Sequence, residues 1–117
     1  MSEAGIKHYV RVAVYRFKPG TANATIAQAE ESLLPLFRRR PGFISHQIVK
    51  TGEDDAVAIS TWDSAAGAAE SVRIAAAWVE EHAREQLVSV DTHFGELVVD
   101  YERFHEGAYD AAGSLRE

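Results

Sequence analysis

The chain has 117 residues, 46% hydrophobic and 26% charged, a length and balance that fit one globular domain with a modest core and leave no room for a second. A net charge of −6 opposes phosphate backbones and argues against a nucleic-acid partner. The absence of cysteine excludes disulfides, thiolate nucleophiles and thiolate metal sites, and the five histidines have no metal-binding spacing.

Residues 8–17 alternate, with Val10, Val12 and Val14 on one face and Tyr9, Arg11, Ala13, Tyr15 and Phe17 on the other, which predicts a strand. Lys18-Pro19-Gly20 ends it, and Thr21 or Asn23 is placed to cap a helix. Ile26, Ala29, Leu33, Leu34 and Phe37 fall largely on one helical stripe, interrupted near Leu34 by Pro35. Arg38, Arg39 and Arg40 follow where the helix should end, a place where cations complement its dipole.

After Pro41-Gly42, residues 43–51 and 56–62 read as two strands joined by a short polar turn, hence an antiparallel hairpin. Two registers are open. Pairing Val49 with Val57 puts His46 on the face of Ser60 and Trp62. Pairing Val49 with Ala58 keeps Ile44 and Ile48 with Val57 and Ile59, and is preferred here for that reason. Asp63 or Ser64 then caps a second helical region to about residue 88, with an interruption expected near Ala75-Ala76-Ala77. Residues 93–104 alternate as a fourth strand, and residues 105–117 form a tail with no apolar period.

The order β-α-β-β-α-β predicts an α+β, ferredoxin-like fold over about residues 7–104, with two helices on one face of a four-stranded antiparallel sheet. Val57 and Ile59 are expected to face the helices with the strand-one valines. That leaves Tyr9, Arg11, Tyr15, Phe17, Ala58, Ser60 and Trp62 on the helix-free face. An aromatic patch of that kind calls for a partner, and two such sheets closing on each other would form a homodimeric barrel. No segment has the length of a membrane span, and the first residues have no apolar leader, so the expected location is cytoplasmic, with no membrane partner.

The run Val14-Tyr15-Arg16-Phe17-Lys18-Pro19-Gly20, the Pro41-Gly42-Phe43 turn and Ser60-Thr61-Trp62-Asp63-Ser64 resemble the antibiotic biosynthesis monooxygenase group of the dimeric α+β barrel superfamily. The opening residues also resemble the stress-responsive α/β barrel relatives. The resemblance implies a homodimer with a cavity in each subunit. It also implies a cofactor-free monooxygenase acting on a small aromatic or quinol-type substrate, whose phenolate itself reduces dioxygen. The alternatives are a non-catalytic ligand-binding or stress-responsive barrel, and a purely structural dimer. Haem-degrading relatives carry an asparagine and a tryptophan where this chain has Ala13 and Glu70 or Ser71, so the resemblance does not extend to haem and implies no cofactor.

On this reading the catalytic candidates are His82, Arg11 and Tyr15: Arg11 to hold an anion, His82 to move protons, Tyr15 to donate a hydrogen bond. Trp62, Trp78, Ser60 and Tyr9 would line the substrate pocket. Trp62 is expected first to anchor sheet to helix, a role compatible with a cavity wall. Trp78 and His82 stand four apart and share a helix face; His82 reads either as a general base or as a partly exposed helix histidine beside Glu81 and Glu85.

Overall fold

In the computed structural model, residues 7–101 are described. The elements are β1 (Tyr9–Phe17), α1 (Ala22–Ser32), α2 (Leu34–Arg38), β2 (Phe43–Gly52), β3 (Asp55–Trp62), α3 (Ala65–His82) and β4 (Leu87–Glu96). The four strands form one antiparallel sheet in the order β2-β3-β1-β4, with the helices on one face: the expected ferredoxin-like α+β arrangement.

Local chemistry explains most boundaries. The helix after β1 breaks at Leu33 and resumes with Pro35 near the start of α2, where a missing N–H costs nothing. Gly42 turns the chain into β2 with φ of +85°, and its carbonyl accepts from the Asp63 N–H at 2.9 Å. The Ser64 hydroxyl caps α3 by accepting from the Gly67 N–H at 2.9 Å. Thr21 stands at the N-cap of α1, but its hydroxyl donates to the Lys18 carbonyl instead of capping the helix. Alanine is a strong helix former, and α3 runs without the expected interruption through Ala75, Ala76 and Ala77, but it ends at His82, short of the expected end near residue 88, because β4 begins at Leu87.

Three further expectations are corrected. The first is which face the helices cover. Arg11, Ala13 and Phe17 on β1, and Ala56, Ala58, Ser60 and Trp62 on β3, are buried beneath them. Tyr9 and Tyr15 share that face, and Val10, Val12, Val14, Val57 and Ile59 form the open one. Both faces are apolar, so alternation separated them without saying which the helices would take. Sterics decide it. Ala13, Ala56 and Ala58 leave the sheet centre low enough for α1 and α3 to approach, and Ala68 and Ala75 do the same on α3.

The second correction is the hairpin register. Val49 pairs with Val57 and His46 with Ser60, not Val49 with Ala58. An irregularity between Phe43 and Ser45 takes Ile44 out of the alternation that made the other register attractive. The third is the last strand, which spans Leu87–Glu96 and not 93–104. Pairing with β1 along its whole length fixes β4, with Val12 opposite His93, so the strand ends where its partner begins at Tyr9. The predicted residues 102–104 and the tail lie outside the described residues.

The main core gathers Leu33, Phe37, Trp62, Ala68, Ala75 and Trp78 between helices and sheet. Trp62 is 0% exposed, with Phe37 and Phe43 edge-on to it at 5.5 and 5.4 Å. The open face of the sheet leaves Val14 44% and Val49 47% exposed beside Val57 and Ile59.

Candidate functional site

The unusual residue of the buried face is Arg11. Strand alternation points its side chain under the helices, where it is 1% exposed. Its Nη2 donates to the Tyr15 hydroxyl at 2.9 Å, and its guanidinium lies 5.9 Å from the centroid of the Phe37 ring. Its Nε and Nη1 are buried with no partner among the described residues, and no described carboxylate pairs with it. A guanidinium stays charged, so this is a desolvated cation lacking a counter-charge. Such a group stabilises any anion brought to it far more than a surface arginine does.

His46 is its neighbour across the sheet, paired through Ser60, which faces Arg11 on β3. Burial, and secondly the Arg11 charge, lower its pKa from 6.5 to about 4, so the imidazole is neutral near pH 7. Its Nδ1 is buried without a partner, and its ring meets Phe37 edge-on at 5.4 Å. Two unsatisfied polar groups thus stand together in apolar surroundings, a pattern that marks binding sites.

Arg11, His46, Tyr15 and Thr25 border a narrow cavity of about 40 Å³ between the sheet, α1 and α3, walled otherwise by apolar side chains such as Ala29, Leu33, Ile48 and Trp78. The Trp78 indole N–H donates to the Ser32 hydroxyl at 2.7 Å, which ties α3 to the end of α1 and fixes that wall. A second space of about 330 Å³ lies on the other flank of α3, towards β4, and is also bordered by Arg11 and Tyr15.

The predicted site residues divide. Arg11, Tyr15 and Trp78 come together at the cavity. Ser60 and Trp62 do not border it: the Trp62 N–H donates to the Ser60 hydroxyl at 2.9 Å, and both are sealed in the core, in keeping with the anchoring role read for Trp62. Tyr9 packs beside Trp62 at the sheet end, away from the cavity. His82 stacks obliquely on Trp78, 5.2 Å between centroids, at the end of α3, with Glu81 3.7 Å from its Nε2. It too lies off the cavity. Unlike His82, His46, which sequence reasoning did not count among the site residues, borders the cavity with Arg11. Its signal was the strand alternation of β2, which needed the correct register before it could be used.

Among the described residues no three histidine, aspartate or glutamate side chains converge as metal ligands, and no helix is long and apolar enough to cross a membrane.

The fold is shared with solved structures. A protein of unknown function from Nitrosomonas europaea is 23% identical, with a TM-score of 0.68 over 83% of this chain and 95% of that one. A monooxygenase from Streptomyces coelicolor, in complex with the ligand nanaomycin D, is 16% identical, with a TM-score of 0.66 over 83% of this chain and 92% of that one. A dimeric ferredoxin-like protein from an uncultured marine organism is 15% identical, with a TM-score of 0.66 over 83% and 93%. No curated protein matches the chain. The sequence pattern of the family described as antibiotic biosynthesis monooxygenase matches residues 8–81, from the start of β1 almost to the end of α3, and so takes in Arg11, Tyr15, His46 and Trp78. The chain belongs to the antibiotic biosynthesis monooxygenase family.

Proposed function

We propose that this protein is a cofactor-independent, monooxygenase-like enzyme for a small aromatic or quinol-type substrate, built as a homodimer of single-domain subunits. The observation that carries the reading is the buried, uncompensated Arg11 beside a neutral His46 and an apolar cavity. An electron-rich hydroxyaromatic becomes a reductant of dioxygen when ionised. Arg11, with the Tyr15 hydroxyl it holds, stabilises the oxyanion, and a water-poor site strengthens that attraction. For a phenol with a free ring position the stoichiometry closes without another reductant: phenol and one dioxygen give quinone and one water. His46, neutral at pH 7, borders the narrow cavity with Arg11 and adds no competing positive charge there.

Dimerisation is supported by the open valine face, which is too apolar to be left to water, and by the likeness to a protein described as dimeric. The test is oxygen uptake with hydroxynaphthalenes and hydroquinones, without added flavin or metal, with mass spectrometry of products formed under ¹⁸O₂. Incorporation of one labelled atom, lost in Arg11→Met, is expected. Binding of these compounds without oxygen uptake would favour the second reading, a non-catalytic ligand-binding barrel.

A further inference from the structure

Helix α3 lies across the sheet and leaves space on both flanks, and the two spaces differ in size and chemistry. On the α1 side is the apolar cavity of about 40 Å³, with Ala29, Ile48 and Ala58 in its walls. On the β4 side is the cleft of about 330 Å³, lined by Val72, Ala76 and Val90 and, at its polar positions, by Thr92 and Glu80. Organic ligands of metabolite size occupy pockets of roughly 300–1,000 Å³, and an apolar cavity of about 150 Å³ admits benzene or xenon. The cleft therefore fits a bicyclic aromatic. The cavity is too small for benzene as it stands, and its apolar walls disfavour water, but it is large enough for a diatomic molecule. Arg11 and Tyr15 border both.

We propose that the two reactants of the oxygenase reading are held apart: the cleft between α3 and β4 binds the hydroxyaromatic as its anion, the narrow cavity on the α1 side holds dioxygen, and the Arg11–Tyr15 pair is their shared wall. The proposal rests on that oxygenase reading. Tyr15 accepts from Arg11 at 2.9 Å, and no described residue accepts the Tyr15 hydroxyl proton. The hydroxyl is thus a donor polarised by a guanidinium, suited to an oxyanion in the cleft. The Glu80 carboxylate at the rim is paired with Arg84 at 2.8 Å, which offsets its charge and lessens its repulsion of an anion entering the cleft.

The test uses two probes that need no turnover. In crystals of the protein, xenon should occupy the space between Ala29, Ile48 and Ala58, and 2-hydroxy-1,4-naphthoquinone the space between Ala76 and Thr92. In solution calorimetry, Ala76→Phe, an exposed position, should weaken the naphthoquinone at least tenfold and leave the xenon site occupied. Ala29→Ile should abolish xenon binding and leave the naphthoquinone Kd within twofold. In an active enzyme it should also raise the KM for dioxygen and not that for the aromatic. Naphthoquinone found in the α1-side cavity, no xenon there in the wild type, or loss of naphthoquinone binding in Ala29→Ile alone would overturn the proposal. Both probes in their places with no oxygen uptake for any hydroxyaromatic would leave the compartments standing and remove the oxygenase reading instead.

Discussion

Replacing Arg11 by methionine should make the protein more stable while destroying its affinity for anions. Methionine has a similar length and no charge. The native guanidinium is 1% exposed, with two nitrogens unpartnered and no described carboxylate to offset it. Burying an ion costs several kcal/mol even after relaxation, and replacing buried ionic groups by apolar ones of similar volume is often stabilising by about 1–4 kcal/mol. Against this stand the hydrogen bond to Tyr15, worth about 1.5–3 kcal/mol as a charged bond, and the contact with Phe37, worth up to about 2 kcal/mol. Part of the first loss is recovered, because the half-buried Tyr15 borders the cleft and can turn its hydroxyl to water. The expected balance is a gain of up to about 2 kcal/mol, or up to roughly 8 °C in Tm for a domain of this size. Thermal and urea unfolding at one fixed protein concentration would measure it, since an oligomer's stability depends on concentration. The same variant should bind 2-hydroxy-1,4-naphthoquinone no better than the neutral 1,4-naphthoquinone. A loss of more than about 2 kcal/mol would refute the reasoning, because it would mean that Arg11 has a counter-charge in the folded protein.

The pH dependence follows from His46. Its folded pKa of about 4 lies below the ordinary 6.5, so the unfolded chain binds more protons between those values. That contribution to stability is complete above pH 6.5 and drains away as pH falls towards 4; His46→Gln should flatten this slope, and in Arg11→Met the His46 titration, followed by NMR, should move up. Trp62→Ala should cost about 3–5 kcal/mol, since it empties a fully buried site between Phe37 and Phe43; a loss under about 1 kcal/mol in urea titration would contradict the packing. Gly42→Ala should cost about 1–2 kcal/mol, because φ is +85° and the new Cβ would strike the Asp63 carboxylate. Val12→Asp, on the open sheet face, should halve the mass seen by sedimentation if two such faces meet, and an unchanged mass would show that they do not.

Alternation, proline and glycine placement and capping residues carried the secondary structure, because each acts within a few residues. The break around Pro35, the Ser64 cap and the βαββαβ order were all legible in that way. Three residues of the site, Arg11, Tyr15 and Trp78, could be picked out as chemistry-bearing from residue type and position alone. Their surroundings could not. Period two fixes which residues share a face of β1, and with valines on one face and aromatics on the other both sides were apolar enough to be buried. Only the fit of α1 and α3 over Ala13, Ala56 and Ala58 settles that the arginine-bearing face lies inward. Likewise the hairpin register was a one-residue choice between two apolar patterns, decided by the irregularity at Phe43–Ser45, and it alone brings His46 beside Arg11. Sequence by itself determined the elements and their order, since these are local. The tertiary structure decided which face they share, because that depends on the shapes of surfaces distant in the chain.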